Sequence, residues 1–196
     1  MKKLTRYLSV PLAAAAIVVS ANNANAGGIN VFTTRGKGGI EIAGDWMQFA
    51  IPLSALVYSM AISDWSGSLQ FAGAYASTYA TTELMKHTIC ARRPDTPDGV
   101  CSDGFPSGHT SSAFAGAAFW QMRYGWYIGA PMYAAAAFVG YSRIESNNHY
   151  WWQVLAGAAI GYGFNYLITT KYVPAGSSVS VNPAPGGATL NFNMRF

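Results

Sequence analysis

Charge is what this chain lacks. Only 10% of its 196 residues are Asp, Glu, Lys or Arg, against about 25% in an ordinary soluble domain. The formal charge of +4 is no nucleic-acid footprint, because Lys2, Lys3 and Arg6 crowd the extreme N-terminus. Acidic residues are scarcer still, eight in all. Asp95, Asp98 and Asp103 lie between motifs and read as turn or solvation residues, with Asp103 a weaker candidate for the site. No acidic cluster has the character of a metal site, so no metal or other cofactor is expected. Cysteine is rare too. Cys90 and Cys101 make an even pair, which in an exported chain points to a disulfide. Closing so short a loop is worth about 2–3 kcal/mol by the chain-entropy estimate.

What is present is apolar. Hydrophobic residues make up 51% of the chain. A basic start at Lys2, Lys3 and Arg6, an alanine-rich stretch from Leu8 to Ser20, and Ala24-Asn25-Ala26 read as a secretory signal peptide over 1–26, cut after Ala26. The alternative is an uncleaved anchor helix. Residues 27–44 read as a glycine-rich, short extended segment. Five uncharged runs follow: Trp46–Ser63, Trp65–Thr82, Gly104–Met122, Tyr124–Ser142 and Ser146–Thr170. A membrane span needs about 20 mostly apolar residues. The expectation is an all-α bundle of about five core helices over 45–173, embedded in a membrane, with a soluble helical domain as the alternative. Gly125-xxx-Gly129 and Gly157-xxx-Gly161 are spaced for close helix packing. Alternating spans would place all the motifs below on one face. The tail, 174–196, is different. Val179 and Val181, a turn over Asn182–Gly187, and alternating Leu190, Phe192, Met194 and Phe196 predict a β-hairpin.

Three short motifs carry the chemistry. Lys86, Arg93 and Pro94 come first, Pro106-Ser107-Gly108-His109 second, and Ser142, Arg143 and His149 third. Lys86 and Arg93, two helical turns apart, are expected on one helix face, with Pro94 ending that helix. Ser107 is placed as an N-cap. Gly108 admits close approach of a ligand to the free N–H groups of a helix start, which bind anions. His109 beside such an anion suits a general acid. Arg143 ends the fourth run, and His149 opens the fifth as a nucleophile with a neutral ring nitrogen. The cations would stabilise the oxygens of a transferring phosphoryl group.

These motifs resemble those of the type 2 phosphatidic acid phosphatase (PAP2) superfamily, and the likeness covers roughly residues 45–170. By that resemblance His149 is the nucleophile, passing through a phosphohistidine, and His109 the general acid. Lys86, Arg93, Ser107, Gly108 and Arg143 cradle the phosphate. The implied reaction is metal-independent hydrolysis of a lipid phosphate or diphosphate ester at the periplasmic face of the bacterial inner membrane. Phosphatidic acid, phosphatidylglycerol phosphate, undecaprenyl diphosphate and lipid A are the implied candidates. A soluble periplasmic acid phosphatase is the alternative. One position departs from the family pattern: its closing Asp is Gln153 here. That implies a slower enzyme, a phosphate-binding envelope protein, or a His149 supported by another carboxylate. Glu145 is the nearest of these in sequence.

Overall fold

The computed structural model describes residues 38–174, 178–184 and 187–193. The expected signal peptide lies outside the described residues. Among those described, five helices come first: α1 (Gly39–Ala61), α2 (Trp65–Thr88), α3 (Gly108–Tyr124), α4 (Trp126–Glu145) and α5 (Trp151–Ile168). Two strands follow, β1 (Ser178–Ala184) and β2 (Gly187–Asn193). Each uncharged run forms one helix.

Two boundaries differ from expectation, and both matter to the site. Helix α1 begins inside the segment read as extended. Ile42 N–H bonds the Gly38 carbonyl at 3.1 Å, and Glu41 sits in the first turn, where the helix dipole favours an acid. Helix α2 ends at Thr88, so Arg93 does not share a helical face with Lys86. Residues after Thr88 are pulled into extended contacts instead. Ala91 bridges to Ser102 and Asp103, and Cys90 is bonded to Cys101 as expected.

Helix α3 is the axis of the bundle and packs against the other four helices. Its sequence explains the position. Ala113, Ala115, Ala117, Ala118 and Phe119 are wholly buried, and small side chains let neighbouring backbones come close. Gly116 makes room for Pro52 of α1. Gly157 and Gly161 of α5 lie directly on the Ser107 and Ser111 carbonyls, so that glycine pair does serve helix packing. Gly125 acts differently, turning the chain between α3 and α4 at φ +99° with open space around it. Aromatic rings fill the far half of the core. Phe71 meets Phe119 edge-on with centroids 5.0 Å apart.

The end of the bundle away from the motifs is closed by a buried ion pair. Asp64, which caps α2, accepts from Arg123 Nε at 2.7 Å and from Tyr124 Oη at 2.9 Å. Arg123 also donates to the Thr170 carbonyl at 2.8 Å, fixing the chain after α5. The tail is the expected hairpin, with Val179 opposite Phe192 and Val181 opposite Leu190. Pairing extends into the expected turn, reaching Ala184 opposite Gly187. The expected strand residues Met194 and Phe196 lie outside the described residues.

Among the described residues no helix is long and apolar enough to cross a membrane. The five expected spans are therefore not carried by these helices. The runs lack charge, yet they are not apolar: Gln48, Ser59, Ser68, Thr78, Thr82 and Asn165 are polar and buried. Lack of charge is not the same as hydrophobicity, and the expected spans rested on the first.

The packing yields a paired test. Gly161→Ala would drive a methyl into the Ser111 backbone and should cost about 1–3 kcal/mol. Gly163→Ala, on the same helix with nothing within 4 Å, should be neutral or stabilise by about 0.5–1 kcal/mol. Urea unfolding of the two variants would compare them.

Candidate active site

One end of the bundle gathers the start of α1, the end of α2, the start of α3, the end of α4 and the start of α5. The turn from α4 to α5 makes the sharpest of these joins. Asn147 adopts φ 55°, and the N–H groups of Asn148 and His149 both bond the Arg143 carbonyl, at 3.0 and 3.1 Å. Arg143 and His149 are thereby held side by side. Arg143 lies in the last turn of α4, and His149 immediately precedes Tyr150, the N-cap of α5.

His149 is 5% exposed, and its Nδ1 has two oxygen neighbours, the Gly104 carbonyl and Gln153 Oε1, each at 3.0 Å. The orientation of that amide is fixed by two other partners. Gln153 Nε2 donates to the Arg92 carbonyl at 2.7 Å, and Tyr150 N–H donates to Oε1 at 3.1 Å. Both neighbours of Nδ1 are acceptors, so Nδ1 carries the proton. The ring's lone pair then lies on Nε2.

His109 stands in the first turn of α3. Its Nε2 lies 3.1 Å from Asp45 Oδ1, and the same oxygen accepts from Arg143 Nη1 at 2.7 Å. Arg143 is further held by the Glu41 carbonyl at Nη2 and by Ser142 Oγ at Nε. Ser107 occupies the N-cap position, as expected, but its hydroxyl does not cap the helix; it accepts from Thr110 Oγ1 at 3.0 Å. Lys86 reaches over the same helix start. A methyl on Gly108 would stand 3.1 Å from its ammonium nitrogen, which also pairs with Glu83 at 3.0 Å. Arg93 arrives from the disulfide loop. Its Nη2 donates to the Asp103 carbonyl at 3.3 Å, and its buried Nε–H has no partner among the described residues. Asp103 thus contributes a backbone oxygen to Arg93. Glu145 is not brought to His149; its carboxylate accepts from Tyr141 Oη on its own helix at 3.2 Å.

Sequence reasoning misses Asp45. The available signal is its rarity: a single carboxylate opening a long uncharged run. The backbone oxygens of Arg92 and Gly104 give no signal at all. Among the described residues no three His, Cys, Asp or Glu side chains converge as metal ligands.

The electrostatics follow from burial among cations. Burial, then the Arg93 charge, pushes His149 down to about 3. Burial pushes His109 down to about 4, with Arg143 and Lys86 acting the same way and Asp45 opposing them. Both rings are neutral near pH 7. An anion placed among Lys86, Arg93, Arg143 and the orphan N–H groups of α3 would favour their protonated forms.

Residues 67–176 match the sequence profile of the PAP2 superfamily. The chain belongs to that superfamily. It is 34% identical over 122 residues to a lipid A 1-phosphatase of Porphyromonas gingivalis, covering 51% of this chain and 27% of that one. It is 32% identical over 143 residues to a lipid A 4'-phosphatase of Helicobacter pylori, covering 69% of this chain and 72% of the relative. The fold is similar to the crystal structure of Aquifex aeolicus LpxE, with TM-score 0.57 at 20% identity over 78% of this chain and 92% of that one. Asp45 lies before the matched PAP2 segment.

Within this PAP2 site the departure at Gln153 has a structural reason. The amide accepts from the imidazole, as a carboxylate could, and also donates to the Arg92 carbonyl, which a carboxylate cannot. Gln153→Asp should therefore not raise turnover. It should lower stability by about 1–3 kcal/mol, because the Arg92 oxygen is left facing an acceptor. Steady-state kinetics and urea unfolding check both, and Gln153→Glu isolates the lost donor at constant length.

The depressed histidines give the fold an acid limit. The unfolded chain takes up protons on both rings below about pH 6.5, while the folded chain resists until about 4 and 3. In that window the unfolded state binds more protons, so stability is full above it and falls as pH drops through it. Urea midpoints at about pH 7.5, 6 and 5 should decline, and less steeply in His149→Asn.

Proposed function

We propose that this chain is a phosphoric ester hydrolase that removes a phosphate from a lipid through a covalent phosphohistidine on His149. The carrying observation is the locked tautomer of His149, whose lone pair falls on Nε2, beside the Arg93 charge and held to Arg143 through the α4–α5 turn. In the first step that lone pair attacks phosphorus. The P–O bond breaks, and the leaving oxygen takes a proton from His109. Water, deprotonated by His109, then attacks phosphorus, the P–N bond breaks, and inorganic phosphate leaves. Lys86, Arg93, Arg143 and the start of α3, at Ser107 and Gly108, hold the equatorial oxygens throughout. No metal is assigned a role.

A lipid substrate is supported by what adjoins the site. Helix α5 starts two residues after His149 and carries no charged residue. Its outer face shows Trp151, Leu155, Tyr166 and Leu167, from 59% to 77% exposed. An acyl chain lying along that face would bring its headgroup to His149. The two lipid A phosphatase relatives point to lipid A as the first substrate to try. The working location is the periplasm, on the export reading of residues 1–26, with the membrane supplied by the lipid substrate.

Phosphate release from lipid A, phosphatidic acid and p-nitrophenyl phosphate, in mixed micelles with EDTA, tests the reading. Lipid substrates should be preferred, and His149→Ala should lose at least about a thousandfold in turnover, as nucleophile deletions do. Release from p-nitrophenyl phosphate alone would point to a soluble acid phosphatase. Release from none would overturn catalysis.

A further inference from the structure

We infer that Asp45 is a positioning residue for the proton-transfer half of the reaction: it holds His109 so that the opposite ring nitrogen, Nδ1, delivers the proton to the leaving oxygen. This rests on the phosphatase reading above, and it assigns a part to a residue outside the three motifs and outside the matched PAP2 segment.

The geometry is specific. Asp45 is 2% exposed and belongs to α1, which carries none of the motif residues. One oxygen, Oδ1, meets both His109 Nε2 and Arg143 Nη1. A carboxylate can only accept, so the His109 proton sits on Nε2 in the resting neutral ring. Nδ1 is then the position that gains and gives a proton during turnover. The backbone beside Asp45 is shaped for this contact. A methyl at Gly44 would collide with Ser142 Oγ and stand 2.8 Å from Arg143 Nη2. Helix α1 can therefore approach the Ser142-Arg143 corner closely enough for Asp45 to reach between Arg143 and His109.

The pairing divides support between the two histidines. His149 must be a neutral nucleophile, and it leans on neutral acceptors, Gln153 and the Gly104 carbonyl. His109 must become cationic to give up a proton, and it leans on a carboxylate. A carboxylate favours the imidazolium, and an amide does so less. The charged and titratable groups facing His109 are Asp45 from α1, Lys86 from α2, Arg143 from α4 and His149 before α5. Asp45 is the only anion in that set. When a phosphate ester binds, His109 takes a proton on Nδ1, with Asp45 balancing the ring charge at Nε2. Bond cleavage passes the Nδ1 proton to the alcohol oxygen as the P–O pair moves onto that oxygen. The ring returns to the neutral Nε2–H form, ready to take a proton from water in the second step.

The test compares two leaving groups. An alkyl phosphate such as phosphatidic acid needs its leaving oxygen protonated, whereas p-nitrophenolate leaves without a proton. Asp45→Asn should lower kcat/KM, which reads phosphoryl transfer to His149 and not the shared hydrolysis step, for the alkyl ester at least about tenfold more than for the aryl ester. It should also move the alkaline limb of the alkyl pH profile, where His109 loses its proton, to lower pH. In a His109→Gln background, Asp45→Asn should add no further alkyl-selective loss. Equal losses on both esters would assign Asp45 to Arg143 or to folding alone and overturn the proposal. So would an alkyl-selective loss that persists without His109. If the wild type cleaves neither these esters nor lipid A, the phosphatase reading fails, and imidazole nitrogen NMR of the full chain with inorganic phosphate decides the pairing by itself. A His109 pKa that falls in Asp45→Asn upholds it, and one that does not move overturns it.

Discussion

The side chain and backbone of Gln153 hold the three motifs in one place. Its amide oxygen takes the His149 imidazole, its amide nitrogen donates to the Arg92 carbonyl beside Arg93, and its backbone carbonyl accepts from Ser107 N–H at 3.0 Å. The residue is wholly buried. Every one of these groups would be costly to bury unpaired, so the three segments either assemble around Gln153 together or leave several polar atoms stranded. The disulfide belongs to this arrangement. Cys90 and Cys101 close the loop that presents the Arg92 carbonyl, and Ser102 Oγ ties the same loop by accepting from Arg93 N–H at 3.0 Å and donating to the Ala91 carbonyl at 3.0 Å.

The bundle delivers helix ends to that point because α3 is thin. Alanine on all sides of α3 and glycine on α5 let backbones meet with little between them. The consequence is that one of the two core clusters, Ile51, Ala113, Ala117, Ala136 and Val139, holds few large side chains, and buried polar pairs close both ends of the bundle. Asp64 with Arg123 locks the far end, while Asp45 with Arg143 locks the end with the motifs. Both pairs are buried, and each joins helices distant in sequence. A chain so poor in charge thus places two of its few acids where they hold helices together.

The two histidines are both driven toward neutrality by their surroundings, yet their partners differ in kind. One is set by an amide and a carbonyl, the other by a carboxylate shared with an arginine. Burial among cations keeps both neutral at rest, and an arriving anion reverses that bias. The site is therefore poised by what it lacks, a negative charge at its centre, and a phosphate supplies it.

Much of this is legible in local pattern. The residues of the three motifs, the five helical runs, the Cys90–Cys101 pair and the tail hairpin all follow from spacing, composition and alternation. Local pattern misleads where a run without charge still carries buried polar groups, and where Pro94 stands well past the real end of α2. The bridge at Ala91 and the disulfide stop that helix earlier, and both are contacts between segments. The carbonyls of Arg92 and Gly104 could not be read at all, because a backbone oxygen has no letter in a sequence, and Asp45 offered only its rarity, because a lone acid has no spacing. The sequence by itself determined which side chains could do phosphoryl chemistry. Only the tertiary structure decided which nitrogen of each imidazole holds the proton, because that depends on which acceptors from other segments come within hydrogen-bonding distance.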